Sequence, residues 1–269
     1  MSIFLSTQDI GMTNSWWLYL LVFVVGLVVG SFLNVCIFRL PNGRSIIWPS
    51  SHCVACEKAI AWFDNIPLLS FLILVGRCRH CQAQISLRYP LIEFLNGLGY
   101  VAILFKFGMT PSAIVYAVFL STLLVVTWID LDYLIIPDVI SLPGIIVGFL
   151  CAATILPVGW FNSVIGILLG GGILWALAAL SPHLFGKEGL GGGDIKFLAM
   201  VGAFLGWQPV LLTLFFASVS GSVIGILLLL FKVLERGHYI PFGPFLAAGA
   251  LVSLFFFREV MSWYFGMVW

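Results

Sequence analysis

At 269 residues the chain has the length of one or two soluble domains, yet 62% of it is hydrophobic, 9% is charged, and its mean hydropathy is +1.15. A soluble domain needs roughly a quarter of its residues charged to cover its surface, so the solvent for most of this chain is lipid. The net charge of +1 says nothing about nucleic acid, but no basic run that could track phosphates appears, and no nucleic-acid partner is expected.

A bilayer takes roughly 20 apolar residues to cross. The first such stretch runs from Trp16 to Phe38, with no basic region before it and no small-residue cleavage site after it, and is expected to be a retained anchor. An interruption from Arg39 to Arg88 follows, with six of the twelve basic residues and four of the six cysteines. Further spans read as Tyr89–Phe107, Pro111–Ile129, Val139–Leu156, Phe161–Leu180, a short Ile195–Leu205, Pro209–Phe231 and Ile240–Phe257. The sequence thus predicts an all-α polytopic membrane protein of about eight transmembrane helices, with a small insertion between the first two.

Orientation follows from the excess of Lys and Arg in cytoplasmic loops. With the N-terminus outside, Arg39, Arg44, Lys58, Arg77, Arg79, Arg88, Lys187, Lys196, Lys232 and Arg236 are cytoplasmic, and only Lys106 and Arg258 are outside. The pairs Gly26/Gly30, Gly166/Gly170, Gly202/Gly206 and Gly221/Gly225 have the spacing of helix-packing faces.

Within the insertion, Cys53-Val-Ala-Cys56 is followed after 21 residues by Cys78-Arg-His-Cys81. Two C-x-x-C knuckles at this separation describe a four-cysteine structural zinc site, whose metal supplies the folding energy that fifty residues with little core lack. Two disulfides are the competing reading, and reduced thiols on the cytoplasmic side weigh against it. His52 and His80 flank the ligands, but four cysteines already satisfy the ion.

The carboxylates form a second constellation. Trp128-Ile-Asp130-Leu-Asp132 follows the third span, and Gly189-Leu-Gly191-Gly192-Gly193-Asp194-Ile-Lys196 follows the fifth. The 64 residues from Asp130 to Asp194 allow one span out and one back, so both return to one membrane face and meet if their helices are neighbours. Two carboxyl groups in contact at a shielded site share a proton, one serving as base and the other as acid toward a water and a peptide carbonyl. Gly191, Gly192 and Gly193 remove side chains where a substrate backbone could approach. A lone aspartate at a span boundary is more often a cap; the matched topology of two argues for chemistry. Asp132 and Asp138 read as helix-entry or solvated residues, with Asp138 starting the fourth span. His52, His80, His183 and His238 are scattered, and no serine sits in a nucleophile elbow.

On these motifs the chain resembles the type IV prepilin peptidases, the leader peptidases and N-methyltransferases of pilus and type II secretion systems. The likeness runs through Gly30-Ser-Phe-Leu-Asn34, both knuckles, Asp64-Asn-Ile-Pro67, Arg88-Tyr-Pro90-Leu-Ile-Glu93, Ile136-Pro137-Asp138 and Gly191-Gly192-Gly193-Asp194. Val54 stands where proline is frequent. The resemblance implies a G-x-G-D aspartic peptidase of the bacterial inner membrane that cuts prepilins and pseudopilins after a glycine on the cytoplasmic side. It also implies methylation of the new N-terminus from S-adenosylmethionine, with Asp130 and Asp194 catalytic and Cys53, Cys56, Cys78 and Cys81 on Zn2+. Residues 16–107, with the insertion at 39–88, would form the methyltransferase region, and 108–269 the peptidase domain.

No G-x-G-x-x-G opens a βαβ unit, so methyl transfer rests on the resemblance alone. Glu93, Asn34 and Arg88 are candidates for the cofactor or substrate amine, or else glue between helices and topology signals; Arg77 and Arg79 divide the same way. A peptidase whose cysteine region only docks partners, and an ion-coupled transporter, are the alternatives. The sequence does not fix the oligomeric state.

Overall fold

The computed structural model describes residues 16–185, 191–232 and 240–268. Lys187, Gly189, Arg236 and His238, used in the reading above, lie outside the described residues.

Each apolar segment forms a helix: α1 Trp16–Arg39, α3 Arg88–Phe107, α4 Pro111–Tyr133, α5 Asp138–Thr154, α6 Trp160–Phe185, α7 Gly192–Leu205, α8 Trp207–Leu230 and α9 Gly243–Val268. A short helix α2, Leu69–Ile73, and a 3-10 turn at Trp62–Asn65 lie within the insertion, and no strand occurs among the described residues. Among the described residues six helices are long and apolar enough to cross a membrane; α5, at 17 residues, and α7, at 14, are shorter. At 1.5 Å per residue α7 is about 21 Å long, less than the hydrocarbon core.

Helix ends obey local chemistry. Gly108, at φ +65°, closes α3, and Thr110 caps α4 by accepting from the Ala113 N–H at 3.2 Å, with Pro111 as the first helical residue. Gly206, at φ +83°, ends α7 and begins α8.

The chain forms two compact units: residues 16–32 with 52–109, and 33–51 with the described part of 110–269. In the first, α1 and α3 cross with almost no space between them. A methyl group at Gly26 would lie 2.7 Å from Gly97 Cα, and one at Gly30 would lie 2.6 Å from Glu93 Cα. The Asn96 amide donates to the Gly26 carbonyl at 2.7 Å, a buried polar tie of the kind that holds membrane helices together.

In the second unit α7 is the hub, buried continuously from Phe197 to Leu205 and packed on α5, α6, α8 and α9. Its contact with α6 is backbone on backbone: a methyl group at Gly166 would meet the Gly202 carbonyl oxygen at 2.5 Å, and one at Gly170 the Leu198 oxygen at 2.6 Å. Gly221 and Gly225 differ from the other small-residue pairs, since methyl groups there would meet only side chains, at 3.4 Å or more.

Candidate active site

The site is built where helix ends converge at one end of the second unit. Asp130 lies in the last turn of α4, inside the helix rather than in the loop expected after it, and is 5% exposed. Leu134, in the left-handed conformation at φ 54°, stops the helix by donating its N–H to the Asp130 carbonyl at 2.9 Å. Asp194 is the third residue of α7. Its carboxylate accepts from the backbone N–H of Gly191, the cap residue, so the side chain turns back over the helix start.

The two helices both pack on α9 and meet each other through a ring contact. Eleven residues before Asp130 and ten after Asp194, Phe119 and Phe204 stack at 4.7 Å between ring centroids. At 1.5 Å per residue these offsets are about 16 Å and 15 Å, so contact at the rings brings the aspartates level. The charge of Asp130 acts directly on Asp194. Both are flanked by close backbone packing. A methyl group at Gly193 would lie 3.0 Å from Ile136 Cβ and 3.4 Å from its nitrogen and oxygen, so this glycine admits the α4–α5 loop. One at Gly192 would meet nothing within 4 Å, and one at Gly191 would meet Asp194 Oδ2 at 3.5 Å. Gly191 and Gly192 are exposed.

Sequence reasoning missed three features. Lys196 forks onto Asp138, with Nζ 2.7 Å from each carboxylate oxygen, and so pins the start of α5 to the start of α7. Asn42, just past the end of α1, donates to the Tyr133 hydroxyl at 3.3 Å, which puts that end beside the end of α4. The third is Gly243, whose backbone N–H donates to Asp130 Oδ2 at 2.8 Å. No side-chain motif announces it, although the glycine between Phe242 and Pro244 at a helix start is a visible oddity.

The cysteine cluster lies wholly within the first unit. Cys53 N–H donates to Lys58 O and Glu57 N–H to Cys53 O; Cys78 N–H donates to Ala83 O and Gln82 N–H to Cys78 O. The two knuckles are therefore repeats of one hydrogen-bonding pattern, with Glu57 and Gln82 both left-handed at φ 57° and 59°. The four sulfurs all lie within 4.8 Å of one another, and Cys53 Sγ is 3.8 Å from Cys81 Sγ. A tetrahedron with metal–sulfur bonds of about 2.3 Å has edges of about 3.8 Å, so the donor set fits a tetrahedral metal ion. The N–H groups of Cys81 and His80 pull the Cys78 thiol down to about 6, toward the thiolate that binds metal.

Arg79 is committed within the first unit. It forks onto Asp64 at 2.8 and 2.6 Å and covers the Phe63 ring, holding the second knuckle against the 3-10 turn. The same guanidinium keeps the Asp64 carboxyl below its usual range. Glu93 is buried in α3, accepts the Leu68 N–H at 2.9 Å and bonds to the Ser31 side chain, tying α2 and α1 to α3. Arg88 is the first residue of α3 and half-buried.

Residues 24–107 match the bacterial peptidase A24 N-terminal domain, and residues 117–226 match the type IV leader peptidase family. The prepilin leader peptidase/N-methyltransferase of Aeromonas salmonicida strain A449 is 38% identical, over 92% of this chain and 94% of that one. The protein of the same description from Myxococcus xanthus is 43% identical, over 78% of this chain and 62% of its own length. The chain belongs to the type IV leader peptidase family. That of Pseudomonas aeruginosa, 35% identical over 90% of this chain and 91% of that one, extends the likeness across both matched regions. No solved structure matches.

Proposed function

We propose that this multi-pass membrane protein removes the leader of type IV prepilins and pseudopilins and then methylates the exposed N-terminal amine. The observation that supports the peptidase half is the stacking of Phe119 on Phe204, from which α4 and α7 run over nearly equal lengths to Asp130 and Asp194. One proton is shared by the pair. The ionised carboxylate takes a proton from water as its oxygen bonds to the scissile carbonyl carbon; the protonated partner gives its proton to the carbonyl oxygen. Collapse of the tetrahedral species breaks the carbon–nitrogen bond: the departing amine takes up the proton that came from water, and one hydroxyl of the diol returns its proton to the partner aspartate, which restores the pair. Gly191 and Gly192 let an extended substrate backbone reach the pair. Asp130 and Asp194 are the catalytic residues, and 108–269 is the peptidase domain.

Residues 16–107 are assigned to methyl transfer. Cys53, Cys56, Cys78 and Cys81 hold Zn2+, which keeps the two knuckles together. S-adenosylmethionine supplies an activated methyl group, and the new terminal amine must reach it neutral, with its lone pair free. An open cavity of about 560 Å³ in this unit, lined by Phe71, Leu74, Arg77, Gln82 and Gln84 among others, has the size of a small-molecule site. It offers an aromatic face for an adenine, a guanidinium for a carboxylate and two carboxamides. Glu93 and Arg88 do not line it, and Glu93 is committed to Leu68 and Ser31, which favours its role as interhelical glue.

The excess of basic residues argues for an N-terminus outside, with the aspartates and the cysteine region on the cytoplasmic side of the inner membrane. The test is intact mass spectrometry of a precursor incubated with the purified protein, with and without S-adenosylmethionine. The expected product lacks its leader in both cases and gains one methyl only with the cofactor. Asp130→Asn or Asp194→Asn should abolish cleavage and leave methylation of a pre-cut peptide intact. Cleavage at the wild-type rate by either variant would remove the dyad assignment.

A further inference from the structure

The start of α9 has four residues whose N–H groups could serve a neighbour, and three are spoken for or absent. Pro244 has no N–H. Phe245 and Leu246 both donate to the Phe242 carbonyl at 3.1 Å. Only the Gly243 N–H points out of the helix, and its acceptor is Asp130 Oδ2 at 2.8 Å, across 113 residues of sequence. The glycine is also a steric requirement: a methyl group at 243 would lie 2.7 Å from Oδ2, 3.1 Å from Cγ and 3.2 Å from Cβ of Asp130. Asp130 is buried, so its carboxylate cannot move away into solvent. Any side chain at 243 must displace either the carboxylate or the start of α9.

We propose that Gly243 is a positioning residue for the peptidase reaction, its backbone N–H clamping one oxygen of Asp130 so that the other faces water and Asp194. The proposal rests on the dyad reading above. A backbone donor suits the task because it neither titrates nor rotates, and the positive end of a helix stabilises the ionised carboxylate it holds. Clamping Oδ2 fixes the side-chain torsion that decides whether Oδ1 is aligned for proton transfer. Substrate binding, which depends on the surrounding helices and bare glycines, should be nearly independent of it.

The test is the kinetics of Gly243→Ala, in detergent micelles with a full-length precursor. The expected result is a fall in kcat of about a hundred-fold, the scale of a misplaced catalytic group, with KM changed less than about three-fold and methylation of a pre-cut peptide unchanged. Gly249→Ala serves as the packing control. It lies on the same helix, six residues or about 9 Å beyond Gly243, where the nearest atoms to a methyl group are those of Thr213, its carbonyl oxygen at 2.5 Å, and not those of Asp130. It should affect thermal stability as much as Gly243→Ala does, without the selective loss of kcat. Equal losses of kcat in both variants, or wild-type kcat in Gly243→Ala, would overturn the proposal. Wild-type cleavage by Asp130→Asn would instead overturn the dyad reading on which it rests.

Discussion

Gly166→Ala tests whether the position of Asp194 depends on the contact between α6 and α7. The added methyl group would lie 2.5 Å from the Gly202 carbonyl oxygen, 2.8 Å from the Gly206 carbonyl carbon and 3.0 Å from that of Gly202. All three are backbone atoms, so no side chain can swing aside. An ordinary carbon–oxygen contact is about 3.3 Å, and restoring it pushes the helices about 0.8 Å apart. Overpacking of this kind costs about 1–3 kcal/mol. Asp194 lies eight residues from Gly202, about 12 Å along the same rigid helix, so much of that shift reaches the site. A catalytic group misplaced by about 1 Å loses on the order of a hundred-fold in rate. The assay is cleavage of a precursor followed by mass spectrometry, beside thermal unfolding in the same detergent. Gly172→Ala is the control, since a methyl group there meets nothing within 4 Å. Wild-type cleavage and stability in Gly166→Ala would show that α6 and α7 do not pack backbone to backbone.

In the cysteine region, Cys56→Ser should reduce bound metal per chain from one to near zero by atomic emission, and retained stoichiometric metal would refute the four-sulfur site. Glu57→Gly with Gln82→Gly should hold the metal against a chelator several-fold more tightly, because a left-handed residue with a side chain costs about 1 kcal/mol relative to glycine. Faster metal loss would contradict the paired knuckle geometry. Asp138→Asn should lower stability by under about 1 kcal/mol, since the partners are 56% and 39% exposed at their side chains; a larger loss would mean the pair carries more of the α5–α7 contact than its exposure allows. Arg77→Ala should weaken binding of S-adenosylmethionine by equilibrium dialysis about ten-fold, the scale of one charge-assisted hydrogen bond, while undiminished binding would move the cofactor out of the cavity beside α2.

Much of this protein is legible in its sequence because lipid imposes a simple rule. Backbone polar groups must be satisfied within each segment, so among the described residues each of the eight apolar runs falls largely in a helix, six of these helices being long and apolar enough to cross a membrane. The knuckles were equally open to reading, because metal-ligand spacing is a local property. The two aspartates stood out because charge near lipid is expensive and their separation matched a return to one face. Where a helix ends was less visible: Asp130 reads as a loop residue from hydropathy, yet lies inside α4, because hydropathy falls before the hydrogen-bonding ladder does.

What the sequence could not give depended on backbone meeting backbone over long separations. The role of Gly193 follows from Ile136, that of Gly166 from Gly202, and that of Gly243 from Asp130, and in each case the informative atom is the missing side chain. Glycine carries no chemical signature of its partner, so only the packed helices reveal which ones matter. The same holds for Lys196 with Asp138 and Arg79 with Asp64: charge type announced that partners were needed, and tertiary structure chose them. Local composition determined the helices, the cysteine knuckles and the two acids; the packing of α4 and α7 on α9 decided how the acids are held.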